Sequence, residues 1–320
     1  LIRAPELLFT AAEIGLDSFG ANLPNPVLLD ALRAAARRAP RLAWVKTAGV
    51  TDIAPNIGHG ASWVRLALAE GGSVEARLAV AADGRASRAP AAAGIAVETW
   101  DYPQTALVCS FGHSRPHEGT VNELHRQRGP LTTVPLPGQR SALVWVEAPD
   151  AARRLAGLGD GPFAEALEEA LQGVLGSIGP VGPRALHDLG GRRAERMARA
   201  RVALVGEAAH VVPPIGAQGL NLGLRDAAVL ADVLAEARAR GEDIGAEAAL
   251  AAYDRARRAD VAARSLSIDL LNRSLIADLV PVDMLRGLAA HAVASFAPLR
   301  RALMQEGTGL AGPLPRLMRD

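Results

Sequence analysis

Residues 201–234 read RVALVGEAAHVVPPIGAQGLNLGLRDAAVLADVL. The apolar run Val202 to Val205 suits a strand buried on both faces of a parallel sheet. Gly206-Glu207 follows at its C-terminal end, where open α/β sheets collect ligands. Pro213-Pro214 stiffens the loop, because each ring fixes φ. Gly216 and Gly219 let the backbone turn and let another group approach it closely. A helix is expected to begin near Gly219–Asn221. Its unpaired N–H groups and dipole favour negative charge. The run therefore predicts an α/β unit that offers backbone amides to an anionic or electron-rich group.

A second strand end lies upstream, at Val80-Ala81-Ala82-Asp83-Gly84-Arg85-Ala86-Ser87-Arg88. The Asp83 side chain can hold a backbone turn, and Arg85 and Arg88 can face phosphate or a nucleotide. Glu207 can accept hydrogen bonds from sugar-type hydroxyls. A reduced flavin carries its negative charge at N1 and the neighbouring carbonyl, so a flavin nucleotide answers both halves of the pattern. Each motif alone is also an ordinary turn; the pairing gives them meaning.

The rest of the chain predicts a helix from Asn25-Pro26 to Pro40, then strands at Leu42–Val45, Ser62–Ala69 and Ala76–Ala81, with a Gly71-Gly72 turn. Thr105–Phe111, Leu131–Val134 and Ala142–Glu147 alternate like an antiparallel sheet with one solvated face. A helix is expected over Pro162–Leu175, and Asp150–Arg154 and Arg192–Arg199 read as solvated charge faces. Beyond Arg240 the pattern is helical, over Ala246–Ala263 continuing through Asn272, then around Val282–Leu299, punctuated by Pro281 and Pro298.

With 320 residues, 49% of them hydrophobic, the chain can bury a sizeable core and hold two domains. Its 35 basic and 34 acidic residues leave a net charge of +1, which gives no electrostatic case for nucleic acid. Cys109 is the only cysteine, so no intramolecular disulfide forms, and it reads as a small core residue. No stretch reaches the roughly 18 apolar residues of a membrane span. Arg3 and Glu6 interrupt the opening residues, which lack a secretory pattern. His113 and His117 have the spacing of a metal pair, but Pro116 lies between them, and no metal site is expected. His210 reads as a buried, hydrogen-bonded loop residue. Trp100, Tyr102 and Trp145 are candidates for lining a substrate cavity, with core or sheet-face packing as the favoured reading.

Asp83-Gly84, and Gly206-Glu207 continued by HVVPPIGAQGLNLGLRD, resemble the paired motifs of the flavin-dependent aromatic hydroxylases of the p-hydroxybenzoate hydroxylase type. Tyr102–Val146, with PQTALV, PHEGT, GPLTTVPLP and SALVW, resembles the substrate sheet of their ubiquinone-biosynthesis branch. LLNRSLIADLVPVDMLRGLAAHA and PLRRALMQEG resemble its C-terminal helices. The resemblance spans nearly the whole chain. It implies an α/β fold: an FAD-binding Rossmann-like domain, truncated at its N-terminus, with an antiparallel-sheet substrate domain and C-terminal helices. The expected division is 1–23 as a substrate-sheet segment, 24–98 and 186–240 as parts of the FAD-binding domain, 99–185 as the substrate domain, and 241–320 as the helices.

The implied activity is FAD-dependent hydroxylation of an aromatic ring of a ubiquinone precursor, with NAD(P)H and O₂. The implied cofactor contacts are Asp83, Gly84, Arg85, Gly206, Glu207, Pro214, Gly216, Gln218, Gly219, Leu220 and Asn221. Pro214 stands beside the reactive ring as the catalytic position, and no metal is needed. A prenylated phenolic substrate, a ubiquinone-biosynthesis complex and a peripheral contact on the inner face of the membrane are the implied partners, in a cytoplasmic protein. Leu285–Leu303 is the candidate lipid-facing stretch, with core packing as the competing reading.

Two residues depart from the family pattern. Glu207 stands where most members have Asp, and Ala217 replaces the common Gly before Gln218, at a position expected to tolerate a methyl. A third departure is the lack of G-x-G-x-x-G, which the family carries on its first βαβ unit of roughly 30 residues. With Leu1 as first residue, the expectation is that this unit precedes the chain, or that a natural variant has lost it. Two alternatives stay open: an FAD-free homologue acting as a scaffold or interaction subunit, and a flavin hydroxylase of a soluble phenol.

Overall fold

The computed structural model of the protein describes residues 5–57, 62–277, 280–309 and 314–319. In chain order its elements are α1 (Asn25–Arg37), β1 (Val50–Asn56), β2 (Trp63–Leu68), β3 (Ser73–Ala76), β4 (Ala79–Ala81), α2 (Ala89–Ala92) and β5 (Val97–His113). Then come β6 (Asn122–Arg126), β7 (Gly129–Leu136), β8 (Arg140–Glu147), α3 (Pro149–Ala156), α4 (Asp160–Ala170), β9 (Ile178–Val181), β10 (Ala185–Ala194), β11 (Ala198–Arg199), β12 (Val202–Leu204) and β13 (His210–Val211). Helices α5 (Gln218–Ala239), α6 (Glu247–Ile276), α7 (Val280–Ser295) and α8 (Ala297–Thr308) close the chain.

The chain forms two compact units. One comprises Leu1–Ala43, Tyr102–Leu189 and Leu271–Gly312; the other comprises Trp44–Asp101, Gly190–Leu270 and Pro313–Asp320. The expected segments 24–98 and 241–320 are each divided between them: α1 groups with the first unit, and α6 up to Leu270 with the second.

The first unit is built on an antiparallel sheet in which β5 pairs with β8, β8 with β7 and β7 with β6, while β9 adds to β5. Alternation decides its faces. Leu107 and Phe111 on β5, Leu131 on β7 and Leu143 on β8 point to one side and are fully buried against Phe163 and Leu167 of α4. Helix α3 is an addition to the expected elements, although Pro149 in its first turn, Asp150 beside it and Arg153 and Arg154 in its last turn are good terminal residues. The expected charge face at 150–154 is the outside of this helix.

The second unit carries two small sheets. Strands β1, β2 and β3 form an antiparallel meander, with the Gly71-Gly72 turn at φ +90° and +82°. Strands β11, β12 and β4 form the other, in which β12 and β4 are parallel, with Val202 opposite Ala79 and Leu204 opposite Ala81. Val202, Ala203 and Leu204 are fully buried, as a doubly covered strand requires. Tyr253 of α6 is equally buried, its hydroxyl donating to the Leu204 carbonyl at 2.8 Å.

Several elements differ from expectation. Leu42–Val45 is not a strand: Leu42, Trp44 and Val45 are exposed and no ladder partner is offered to them. The run Ala76–Ala81 is cut in two, because the chain leaves the meander at Ala76 and enters the parallel pair at Ala79. Residues 5–23 contain one 3₁₀ turn, Ala11–Ile14, and no strand, although they group with the antiparallel sheet. The amphipathic α1 buries none of its residues. Leu1–Ala4 and residues 278–279 of the resembling C-terminal stretch lie outside the described residues, as do the side chains of Pro281 and Val282.

Candidate cofactor site

The two motifs begin at neighbouring points because their strands are neighbours. Asp83-Gly84 follows β4 and Gly206-Glu207 follows β12, and the amide of Val205 donates to the Ala81 carbonyl at 2.9 Å. Gly84 has φ +86°, open to glycine at no steric cost. The Ser87 amide closes the turn onto the Gly84 carbonyl at 3.0 Å. Arg85 then reaches across, its Nη2 standing 3.3 Å from Glu207 Oε1. Both side chains are more than half exposed, so the pair is solvated and weak by itself. Arg192 Nη1 donates to the Arg85 carbonyl at 2.6 Å and holds the turn from β10.

The loop after β12 returns through β13 to a proline-bearing elbow. Pro213 is buried and Pro214 exposed. Gly216 and Ala217 both adopt left-handed backbone, at φ +66° and +52°, and α5 starts at the next residue. For Gly216 this is ordinary. For Ala217 it is strained by about 1–2 kcal/mol, so the methyl expected to be tolerated there is in fact costly. The preference for glycine at this position follows from that φ.

The start of α5 is open. No side chain caps its N-terminus. Gly219, Leu220 and Asn221 are exposed. A Cβ built on Gly219 meets nothing nearer than Val212 Cγ2 at 4.0 Å, and one on Gly216 nothing nearer than the Gln218 side chain at 4.0 Å. Packing within the protein therefore does not demand glycine at either position, although the left-handed φ of Gly216 favours it. Leu220 and Leu224 add exposed apolar surface, 57% and 46% accessible. The Asn221 side chain donates from Nδ2 back to the Ala217 carbonyl at 3.1 Å, and the Gln218 side chain from Nε2 to the Gly216 carbonyl at 3.1 Å.

The loop is anchored from behind. Asp226, fully buried on α5, accepts from the Gly206 amide at 3.0 Å and bonds His210 Nε2 at 2.7 Å. His210 is thus the buried, hydrogen-bonded residue expected, although it lies in a two-residue strand. Arg257 of α6, only 2% exposed, donates from Nε to the other Asp226 oxygen at 2.7 Å. Burial opposes the Arg257 charge, but the Asp226 and Asp260 carboxylates together outweigh it and hold its pKa above the ordinary value. Burial likewise pushes Asp260 up, yet Arg257 and Arg264 together bring it below the usual carboxylate value. Sequence reading missed Arg192, Arg257, Asp260 and Arg264. The last three stand at i, i+3 and i+7, a same-face spacing that was available as a signal.

Other residues singled out from the sequence have structural roles. Cys109 packs beside the antiparallel sheet's core, and burial raises its thiol to about 11. His113 bonds the Arg115 carbonyl and Ser141 Oγ, while His117 bonds the Leu136 and Gly138 carbonyls. Trp145 and Tyr102 are buried, and Trp100 covers Gly191, where a Cβ would come within 2.1 Å of its ring. Among the described residues no cluster of His, Cys, Asp and Glu can hold a metal ion.

Residues 21–267 match the family described as FAD binding domain. The chain is 38% identical over 319 residues to the ubiquinone hydroxylase UbiL of Rhodospirillum rubrum, covering 99% of this chain and 73% of that protein. It is 29% identical to the 3-demethoxyubiquinol 3-hydroxylase of Escherichia coli, covering 95% of this chain and 76% of that one. Among solved structures, the p-nitrophenol 4-monooxygenase PnpA of Pseudomonas putida matches with a TM-score of 0.62 at 20% identity, over 82% of this chain and 66% of that one. Klebsiella pneumoniae HpxO, complexed with FAD and uric acid, matches with a TM-score of 0.61 at 20% identity, over 82% and 66%. These two support the fold. The two neighbouring strand-end turns, the glycine-bearing elbow and the sequence kinship converge: the chain belongs to the FAD binding domain family, among the FAD-dependent aromatic hydroxylases related to those of ubiquinone biosynthesis.

Proposed function

We propose that this protein hydroxylates an aromatic ring of a prenylated ubiquinone precursor, using FAD, NAD(P)H and O₂. The observation that carries the reading is the exposed start of α5, which no side chain caps, after the Pro214–Ala217 elbow, together with the Arg85–Glu207 pair at the neighbouring strand ends. Leu220 and Asn221 present backbone amides to the electron-rich edge of the ring system. Pro214 and Gly216 flank it. Glu207 accepts from the sugar-like chain of the cofactor, and Asp83-Gly84-Arg85 lie toward its phosphates. Bound FAD supplies the chemistry that activates O₂ and transfers one oxygen atom. The protein's part is to orient the ring, to hold it against the elbow and to exclude water. No side-chain nucleophile is required.

A prenyl tail places the substrate in a bilayer. Among the described residues no helix is long and apolar enough to cross a membrane. Helix α7 exposes Leu285 and Leu288, α8 exposes Leu303, and Phe296 between them is exposed too, with accessibilities of 66%, 52%, 46% and 58%. We assign this surface to peripheral contact with the cytoplasmic face of a membrane or with partner enzymes of the same biosynthesis.

Bound flavin, read as visible absorbance of the purified protein, tests the cofactor. Ring hydroxylation with incorporation of ¹⁸O₂, on a prenylated phenol against p-hydroxybenzoate, tests the substrate. A colourless protein that takes up no FAD overturns the reading, and activity confined to the soluble phenol overturns its substrate. Failure to float with anionic lipid vesicles at any ionic strength removes the membrane contact.

A further inference from the structure

Arg257, Asp260 and Arg264 form a row of charges along α6. Arg257 Nη1 donates to Asp260 Oδ2 at 2.6 Å. Asp260 Oδ1 accepts from Arg264 Nε at 2.8 Å, and Arg264 Nη1 donates to Gln218 Oε1 at 3.4 Å. One end of this row continues through Asp226 to the Gly206 amide, the other through Gln218 to the Gly216 carbonyl. A continuous chain of polar bonds therefore ties together the two ends of the loop between β12 and α5. Arg225 adds a third guanidinium, 3.9 Å from Asp260. Three arginines thus face two aspartates behind the start of α5.

Stability alone does not account for such a row. Replacing a buried ion-pair cluster with apolar side chains of similar volume is often neutral or stabilising. Its distinctive property is geometric: it fixes two backbone segments, one at each end of the elbow, relative to one helix. A planar cofactor bound by backbone amides needs that rigidity, because supporting contacts decide how accurately a site is held.

We propose that Arg257 and Arg264 are positioning residues for the cofactor elbow, an inference that rests on the flavin reading above. Arg257 acts on the Gly206-Glu207 turn through Asp226. Arg264 acts on Gly216 of the elbow through Gln218, the first residue of α5. Neither is assigned a contact with the cofactor. With Arg225, the group sets three guanidiniums against two carboxylates, and the remaining positive charge would favour the reduced, more negative form of a flavin held at the start of α5.

The test uses the FAD-loaded protein with Arg264→Met and Arg264→Lys. The readouts are FAD affinity, the midpoint potential and visible spectrum of the bound flavin, and Tm. Arg264→Met is expected to weaken FAD by about tenfold, the effect of losing charge-assisted hydrogen bonds, and to lower the potential. Arg264→Lys restores the potential and only part of the affinity, since it keeps the charge without the fork. Arg257→Met removes the partner of a fully buried carboxylate and is expected to fold poorly, so Arg264 carries the decision. A folded Arg264→Met protein with unchanged FAD affinity and potential, whatever its Tm, overturns the proposal. If the unsubstituted protein takes up no FAD, the functional reading itself fails, independently of how the variants behave.

Discussion

Gly223 on α5 packs against Gly206 at the end of β12 so closely that a Cβ at Gly223 would stand 3.2 Å from the Gly206 Cα. The contact is backbone against backbone, with no flexible side chain to yield. It brings helix and turn near enough for Asp226, one turn further along α5, to accept the Gly206 amide at 3.0 Å.

Gly223→Val should therefore destabilise the protein by roughly 1–3 kcal/mol, the usual cost of overpacking, and release bound flavin. Urea denaturation and the flavin retained on gel filtration measure both effects. A variant with unchanged midpoint and full flavin content would show that the turn has room to move.

Ala217→Gly should do the opposite. It removes left-handed strain at φ +52°, worth about 1–2 kcal/mol, and gives back about 0.4–1 kcal/mol through the freer unfolded chain. A net gain of about 0–1.6 kcal/mol, near 0.8 at the middle of both ranges, is expected. Ala217→Val, β-branched at the same φ, should lose stability. Thermal unfolding of the three proteins gives the order Gly, Ala, Val; any other order refutes the strain argument.

Acid should loosen the α5–α6 network through Asp260. Burial raises its pKa and the facing arginines lower it further, so the folded value lies below the ordinary one. A depressed carboxylate contributes stability that is complete above the unfolded pKa of about 3.9. That contribution fades as pH falls through the lower folded value. Asp260→Asn should be less stable at pH 7 and show a shallower loss between pH 5 and pH 2. Denaturant midpoints across that range check it; parallel curves for the two proteins would remove Asp260 from the linkage.

Cys109 should be inert in the native state. With its thiol raised to about 11 by burial, roughly one molecule in a thousand is thiolate at pH 8, and the thiolate is the reactive form. A disulfide reagent should label it slowly in native protein and at once in denaturant. Rapid native labelling would mean that the sheet opens at this strand.

The strand-loop-helix run from Val202 was legible because its signals are local. An apolar run, two prolines and two glycines dictate backbone conformation whatever else folds around them. The same holds for the alternating strands β7 and β8 and for α6. Leu42–Val45 misled because a short apolar stretch becomes a strand only if another strand offers an edge, and none pairs with it. The run around Ala76 hid a change of sheet for the same reason. The row on α6, buried at Arg257 and partly buried at Asp260 and Arg264, was missed because charges at helical spacing read as a solvated face until one knows what covers them.

The sequence by itself determined the α/β character, the two glycine-bearing turns and the family to which they belong. Those depend on dihedral preferences and hydrophobic period, which act over a few residues. Tertiary structure decided that Arg85 meets Glu207 across 122 positions of chain, that Ala217 is strained, and that Asp226 and Arg257 neutralise each other in the core. Those depend on which distant segments share a space, where burial raises the cost of an unpaired charge and makes its partner necessary.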